Sequence, residues 1–176
     1  LKVNILQSYP FGYVNDAGDN VGTYWEYVAE IEKLSEIPIA RSIIPKSRVV
    51  ANLKSGLADA AILFKSARLS AHVTFVEKVR SVPIILVTRK GTTIRRYDEL
   101  YEFSEIGIFR GASVSPTFDS DTRLKKQEIV SYPALVKMLM LERVDVIVGN
   151  GIVIQALIDE MCVRHRVQVA ELSFEG

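Results

Sequence analysis

The pattern that most constrains this chain occurs twice. Ser47-Arg48-Val49-Val50-Ala51-Asn52-Leu53-Lys54-Ser55-Gly56-Leu57-Ala58-Asp59 reads as a short helix, a glycine stop and an aspartate, and the apolar run Ala60-Ala61-Ile62-Leu63-Phe64 follows at once. Residues 132–145 repeat that order, ending on Asp145 and leading into Val146-Ile147-Val148. In the first copy Ser47 is expected to cap the helix by accepting a hydrogen bond from a first-turn amide. Val49, Val50 and Leu53 share one helical face, and Gly56 suits the left-handed residue that ends a helix. In the second copy Pro133 suits the first helical turn. A helix that twice gives way to an aspartate-led strand predicts two α/β lobes, and two such lobes predict a ligand cleft between them. Asp59 and Asp145 are expected to close turns at strand starts, not to perform acid–base chemistry.

The rest of the chain fits that frame. Strands are predicted at 2–6, 37–44, 82–88, 105–109, 128–130, 144–148 and 167–172. Helices are predicted at 24–34, where Tyr24, Val28, Ile31 and Leu34 or Ser35 recur at helical spacing, at 94–101, and around Ile154, Leu157, Ile158 and Met161. Residues 15–20 carry turn chemistry and predict a small hairpin or a wide turn. Strands alternating with helices predict an α/β fold, each lobe a mostly parallel sheet flanked by helices. The first lobe is expected over residues 1–88 and the second over 89–176, with the strand at 82–88 as the crossover.

Composition narrows the function. Lys plus Arg is 22 against 21 for Asp plus Glu, a net charge of +1. That balance lacks the basic footprint of a nucleic-acid protein. No apolar run approaches the ~20 residues that span a bilayer. The chain does not begin with a basic segment and an apolar stretch, so a signal peptide is expected to have been removed. Cys162 is the single cysteine, which leaves no intrachain disulfide. His72 and His165 stand far apart without the spacing of a metal site, and Gly149-Asn150-Gly151 matches no dinucleotide or phosphate-loop fingerprint. No cofactor, no metal and no paired catalytic acid and base are expected.

Ordered motifs then run along nearly the whole chain: Y-P-F-G-Y, G-T-Y-W-E-Y-V-A-E-I, R-V-V-A-N-L-K-S-G-L-A-D, V-T-F, I-I-L-V-T-R-K-G, I-G-I-F-R-G-A-S and L-M-L-E-R-V-D-V-I-V-G-N. In these the chain resembles the periplasmic solute-binding proteins of ABC importers, the polar amino-acid type (extracellular solute-binding family 3, type II periplasmic binding fold). The resemblance implies a two-lobed, non-catalytic protein outside the cytoplasm. It would close on a small polar, carboxylate-bearing solute and present it to a membrane permease. It also implies a C-terminal return to the first lobe, for which this sequence stops early. A sensor domain of a membrane-bound receptor such as a histidine kinase is the alternative. A dehydratase-like enzyme of the same superfamily is less favoured.

Candidate ligand residues follow. Gly111 lets backbone approach a ligand closely, and residues 108–113 are expected to lead from a strand into a helix start whose free amides suit a carboxylate. The resemblance places ligand contacts at Ala112 and Ser113, and a carboxylate-pairing arginine at Arg68, with Lys65 and Ser66 as substitutes in the same stretch. Tyr9, Phe11 and Tyr13 follow the first strand and are expected to provide an aromatic wall, one or two of them plugging the core instead. Asn150 stands where relatives usually carry Asp, so an ammonium-bearing ligand is less secure here; the competing reading makes 149–151 a turn of left-handed residues. Lys46 replaces an aromatic residue common in the family; it suggests an anionic partner or, the favoured reading, a solvated loop.

Overall fold

Parallel strands need their starts tied together, because no hairpin joins them. In this chain an aspartate does that in each half. The structure, a computed structural model, describes residues 1–63 and 67–171 and leaves the side chains of Ala67 and Arg68 aside. It divides into two compact units, Leu1–Val79 and Arg80–Gly176.

In the first unit β1 (Lys2–Leu6) leads into a hairpin, β2 (Tyr13–Val14) and β3 (Asn20–Val21). Its turn is held by Asn15, whose Oδ1 accepts from the Asp19 amide at 2.8 Å. Helix α1 (Thr23–Ser35), β4 (Ala40–Ile44), α2 (Lys46–Ser55), β5 (Ala60–Ile62) and the short α3 (Ala67–Ser70) follow. The sheet has the order β4-β1-β5, and both pairings are parallel. Gly22 joins the hairpin to α1 at φ 121°, and a Cβ there would meet the Phe11 carbonyl oxygen at 2.5 Å. Only glycine fits that approach. Helix α1 buries Tyr24 and Val28. Ile31 and Leu34, expected on the same buried face, are 52% and 76% exposed, because no described residue of this unit covers them.

Helix α2 starts two residues earlier than Ser47 capping would place it. Pro45 holds the cap position at φ −59°, Ser47 lies inside the first turn, and no side chain caps the helix. The Pro45 carbonyl itself accepts from Arg48 and Val49 at 2.9 and 3.0 Å. Proline's fixed φ pre-forms that geometry. At the other end Gly56 adopts φ 73°, as expected of a helix stop. Asp59 then clamps the sheet: its Oδ2 accepts from the Lys2 amide at 2.7 Å, and its own amide donates to the Lys2 carbonyl at 2.9 Å. Deeper in, buried Asn4 donates to Ser42 Oγ at 2.8 Å and accepts from Asn52 Nδ2 at 2.9 Å, joining β1, β4 and α2.

The second unit contains β6 (Ile84–Arg89), β7 (Ile106–Phe109), α4 (Pro116–Ser120), β8 (Lys126–Ile129), α5 (Tyr132–Met140), β9 (Val146–Asn150), α6 (Gly151–Glu160) and β10 (Val167–Ala170). A 3-10 turn at Tyr97–Glu102 replaces the helix expected over 94–101. The sheet order is β10-β6-β9-β7-β8. Strand β7 runs parallel to β8 and β9, while β6 is antiparallel to β9 and β10, so β6 alone runs against the other four. Strand β6, in the stretch read from sequence as the crossover, is an interior strand of this sheet. Every residue of β9 is buried, as expected of a strand covered on both faces. Leu86, Leu100, Ile106, Phe118, Val146 and Val148 form one core layer. Ser131 caps α5 by accepting from the Ala134 amide at 3.3 Å, with Pro133 in the first turn.

Asp145 repeats the Asp59 clamp with more partners. Its Oδ2 accepts from the Ser104 and Glu105 amides at 2.9 and 3.1 Å, and its amide donates to the Glu105 carbonyl at 2.9 Å. Arg89 approaches the carboxylate at 3.8 Å and donates to the Val144 carbonyl at 3.1 Å. Asp145→Ala should therefore lower unfolding free energy by about 1–3 kcal/mol, the cost of leaving such groups unpaired. Asp59→Ala, which frees one amide, should cost less. Urea denaturation of the two variants checks both the size and the order.

Candidate functional site

Ligands of open α/β sheets bind beyond the carboxyl ends of the strands. In the second unit β7, β8 and β9 end at Phe109, Ile129 and Asn150. The register pairs Ile108 with Val148, which sets Arg110 level with Asn150 along the shared edge. Two of the expected sites, 111–113 and Asn150, therefore open from one edge of one sheet.

Asn150 ends β9 and begins α6. Its φ is −58°, and its Oδ1 accepts from the Ile152 and Val153 amides at 3.0 and 3.2 Å. Neither Gly149 nor Gly151 is left-handed. The turn reading of 149–151 is thus corrected: the strand passes directly into the helix, and Asn150 is its N-cap. The Gly151 amide donates to the Pro83 carbonyl at 2.8 Å, and a Cβ on Gly151 would lie 3.0 Å from that oxygen.

Sequence reasoning missed Tyr132. Its ring stacks on Phe109 with centroids 4.8 Å apart and planes 15° apart, and it underlies Gly149, whose added Cβ would meet Tyr132 Cε1 at 3.3 Å. Burial raises the pKa of its phenol, and a hydrogen bond from the Asn150 backbone pulls in the opposite direction. Tyr132 thus joins the ends of β7 and β9. The available signal was a tyrosine just before the proline of a capped helix, following a strand.

The turn at 110–113 differs from the expected helix start. Arg110 donates its amide to the Ile129 carbonyl at 2.9 Å, and Ala112 donates to Phe109 at 2.9 Å, so the Ala112 amide is already engaged. Gly111 has φ 68° and open space where a Cβ would stand. The Ser113 hydroxyl donates to Asp119 Oδ2 at 2.6 Å, and the Val114 amide to Asp119 Oδ1 at 3.0 Å. Helix α4 begins only at Pro116, capped by Ser115, and has five residues. Asp119 organises this loop, and no helix terminus faces out from Gly111.

In the first unit the aromatic loop lies beyond the carboxyl end of β1. Phe11 has no exposed surface and stacks on Tyr24, centroids 4.6 Å apart. It fills the core rather than lining a wall, because the Ser8–Gly12 turn folds its ring inward. Tyr9 is 36% exposed, and its ring meets Tyr13 edge-on at 4.9 Å. Those two remain the open aromatic surface of the loop. Arg41 lies over Trp25 at 4.5 Å, so Trp25 packs between α1 and β4. Lys65 and Ser66 lie outside the described residues. Arg68 falls in α3, its side chain outside the description. Lys46 is exposed at the start of α2. A shallow depression bordered by Leu1, Glu32, Pro38 and Asp59 lies at the opposite, clamped edge of this sheet.

A second polar cluster braces the far side of the second unit. Tyr97 and Tyr101 donate to Asp121 Oδ2 at 3.2 and 2.7 Å, and Arg123 pairs with the same carboxylate and lies over the Tyr101 ring. Hydrogen bonds from Arg123, then Tyr101, hold the Asp121 carboxyl well below the usual range. Burial, then the Asp121 charge, pushes Tyr97 up to about 12. A phenol whose folded pKa is raised favours folding while protonated. That contribution is complete below its unfolded pKa of about 10 and is lost as pH climbs through about 12. Stability should accordingly fall across this alkaline window, and Tyr97→Phe should flatten the fall in thermal melts taken at stepped pH.

Among the described residues, no group of three His, Cys, Asp or Glu side chains is placed to hold a metal, and no helix is long and apolar enough to cross a membrane. No protein-family model and no curated protein sequence matches the chain. Solved structures do. An ancestral arginine-binding protein bound to arginine matches with a TM-score of 0.79 at 20% identity, over 100% of this chain and 80% of its own. A Wolinella succinogenes protein assigned as the binding component of an ABC transporter, solved with lysine, matches with a TM-score of 0.83 at 16% identity, over 98% and 78%. The cysteine-binding protein of Campylobacter jejuni matches with a TM-score of 0.77 at 18% identity, over 98% and 71%. The chain therefore has the α/β fold of the two-lobed periplasmic solute-binding proteins.

Proposed function

We propose that this chain is a non-catalytic, extracytoplasmic binding protein for a small polar solute, an amino acid or a related carboxylate, serving ABC-type import with a membrane permease as partner. One observation carries the reading most: the turn at 110–113, Tyr132 and Asn150 converge at the carboxyl edge of the second unit's parallel strands. The fold is shared along the whole chain with arginine-, cysteine- and lysine-binding proteins, which supports the solute class. Tyr9, Lys65, Ser66 and Arg68 are the first unit's contribution to the proposal, and Gly111, Ala112, Ser113 and Asn150 the second's. Arg68 is assigned to the carboxylate, whose two oxygens a guanidinium fork matches.

A thermal-shift panel of amino acids and small mono- and dicarboxylates tests this reading. A solute at a hundred times its Kd should raise the melting temperature by about 5–10 °C, from mass action on a domain of this size. No rise with any member would contradict it. Once a solute is found, Arg68→Ala and Ser113→Ala should each weaken its binding about tenfold or more in calorimetry. Unchanged affinity in both variants would remove these two residues from the site.

A further inference from the structure

The Asn150 side chain is oriented by its two bonds. Both partners are backbone N–H groups, which only donate, so the atom facing them is the oxygen and the atom facing away is the amide nitrogen. Asn150 is 6% exposed. Among the described residues, Nδ2 has no hydrogen-bond partner, while no fully buried side-chain nitrogen or oxygen is left unpaired. Nδ2 therefore reaches the surface through the small exposed part of the residue, at the carboxyl edge of the sheet. The first-turn amides behind it are spent, Gly151 on Pro83 and Ile152 and Val153 on Asn150 Oδ1. What the edge offers at this point is one pre-oriented N–H donor at the positive end of the ten-residue α6.

Resting on the proposed function, we infer that Asn150 selects solutes presenting a hydrogen-bond acceptor at this position, a keto or carboxylate oxygen, over solutes presenting an ammonium group. An ammonium has only donors. It would meet a donor and a positive helix end and would lose its hydration without a partner. A keto oxygen completes the one open bond of a side chain that is already immobilised, so little ordering entropy opposes binding. The chemical class is thus 2-oxo acids and dicarboxylates in preference to the matching α-amino acids.

Calorimetry with matched probes tests the inference: pyruvate against L-alanine, and 2-oxoglutarate against L-glutamate. In the native chain the oxo acid of any pair that binds should be at least about tenfold tighter, the worth of one such bond. Asn150→Asp keeps an oxygen facing Ile152 and Val153, so the helix cap and the fold survive. It replaces the outward donor by a carboxylate oxygen and should reverse the preference toward the amino acid. An amino acid tighter than its oxo analogue in the native chain would overturn the inference while leaving the proposed function standing. A preference unchanged in Asn150→Asp would overturn it equally. Failure of all four probes and of the wider panel of acids would instead bring down the proposed function, and this inference with it.

Discussion

A carboxylate that accepts backbone amides at the start of a parallel strand pair is the interaction on which both halves of this molecule depend. Asp59 ties the entry of β5 to that of β1, and Asp145 ties the entry of β9 to residues just before β7. Parallel neighbours are separated by a helix in the chain, so their register is not set by a tight turn. A charge-assisted bond at the strand starts sets it instead. A one-residue slip would invert every side chain of a strand, and both the β9 core layers and the Asn4–Ser42–Asn52 bridge would be lost with it.

The clamps also bear on where the proposed site lies. They occupy the amino edge of each sheet with structural bonds and leave the carboxyl edge to loops. There the chain places the residues whose polar groups are not all spent on the fold. Asn150 is the clearest case, because a single side chain ends a strand, caps a helix and retains one donor. Tyr132 gives that arrangement rigidity by pressing one ring against Phe109 and Gly149. Rigid positioning of that kind is what the proposed selectivity of a lone donor requires.

The duplicated helix–aspartate–strand pattern was legible in the sequence because punctuation is local: Gly56, Pro133 and the two aspartates act within a few residues of themselves. The roles of Asp59 and Asp145 could be read for the same reason. What the sequence hid depends on partners distant along the chain. Phe11 reads as a surface aromatic until Tyr24 is found stacked on it. Ala112 reads as a free amide until Phe109 is seen to take it. Ser47 reads as a cap because Pro45 leaves no periodic signal. The antiparallel pairing of β6 with β9 does not show in sequence, since it is set by residues about 60 positions away. Tyr132 is hidden in the sequence because its partners Phe109 and Gly149 lie on different strands.

The central claim is that the carboxyl edges bind while the amino edges hold the fold together. Amide chemical-shift mapping tests it most directly, by titrating the isotope-labelled chain with whichever small acid raises its melting temperature. The account predicts shifts concentrated at Gly111, Ala112, Asn150 and Gly151 and at the Tyr9–Tyr13 loop, with the amides of Lys2, Ser104 and Glu105 unmoved. Shifts centred on those clamped amides, with the Asn150 edge silent, would contradict it.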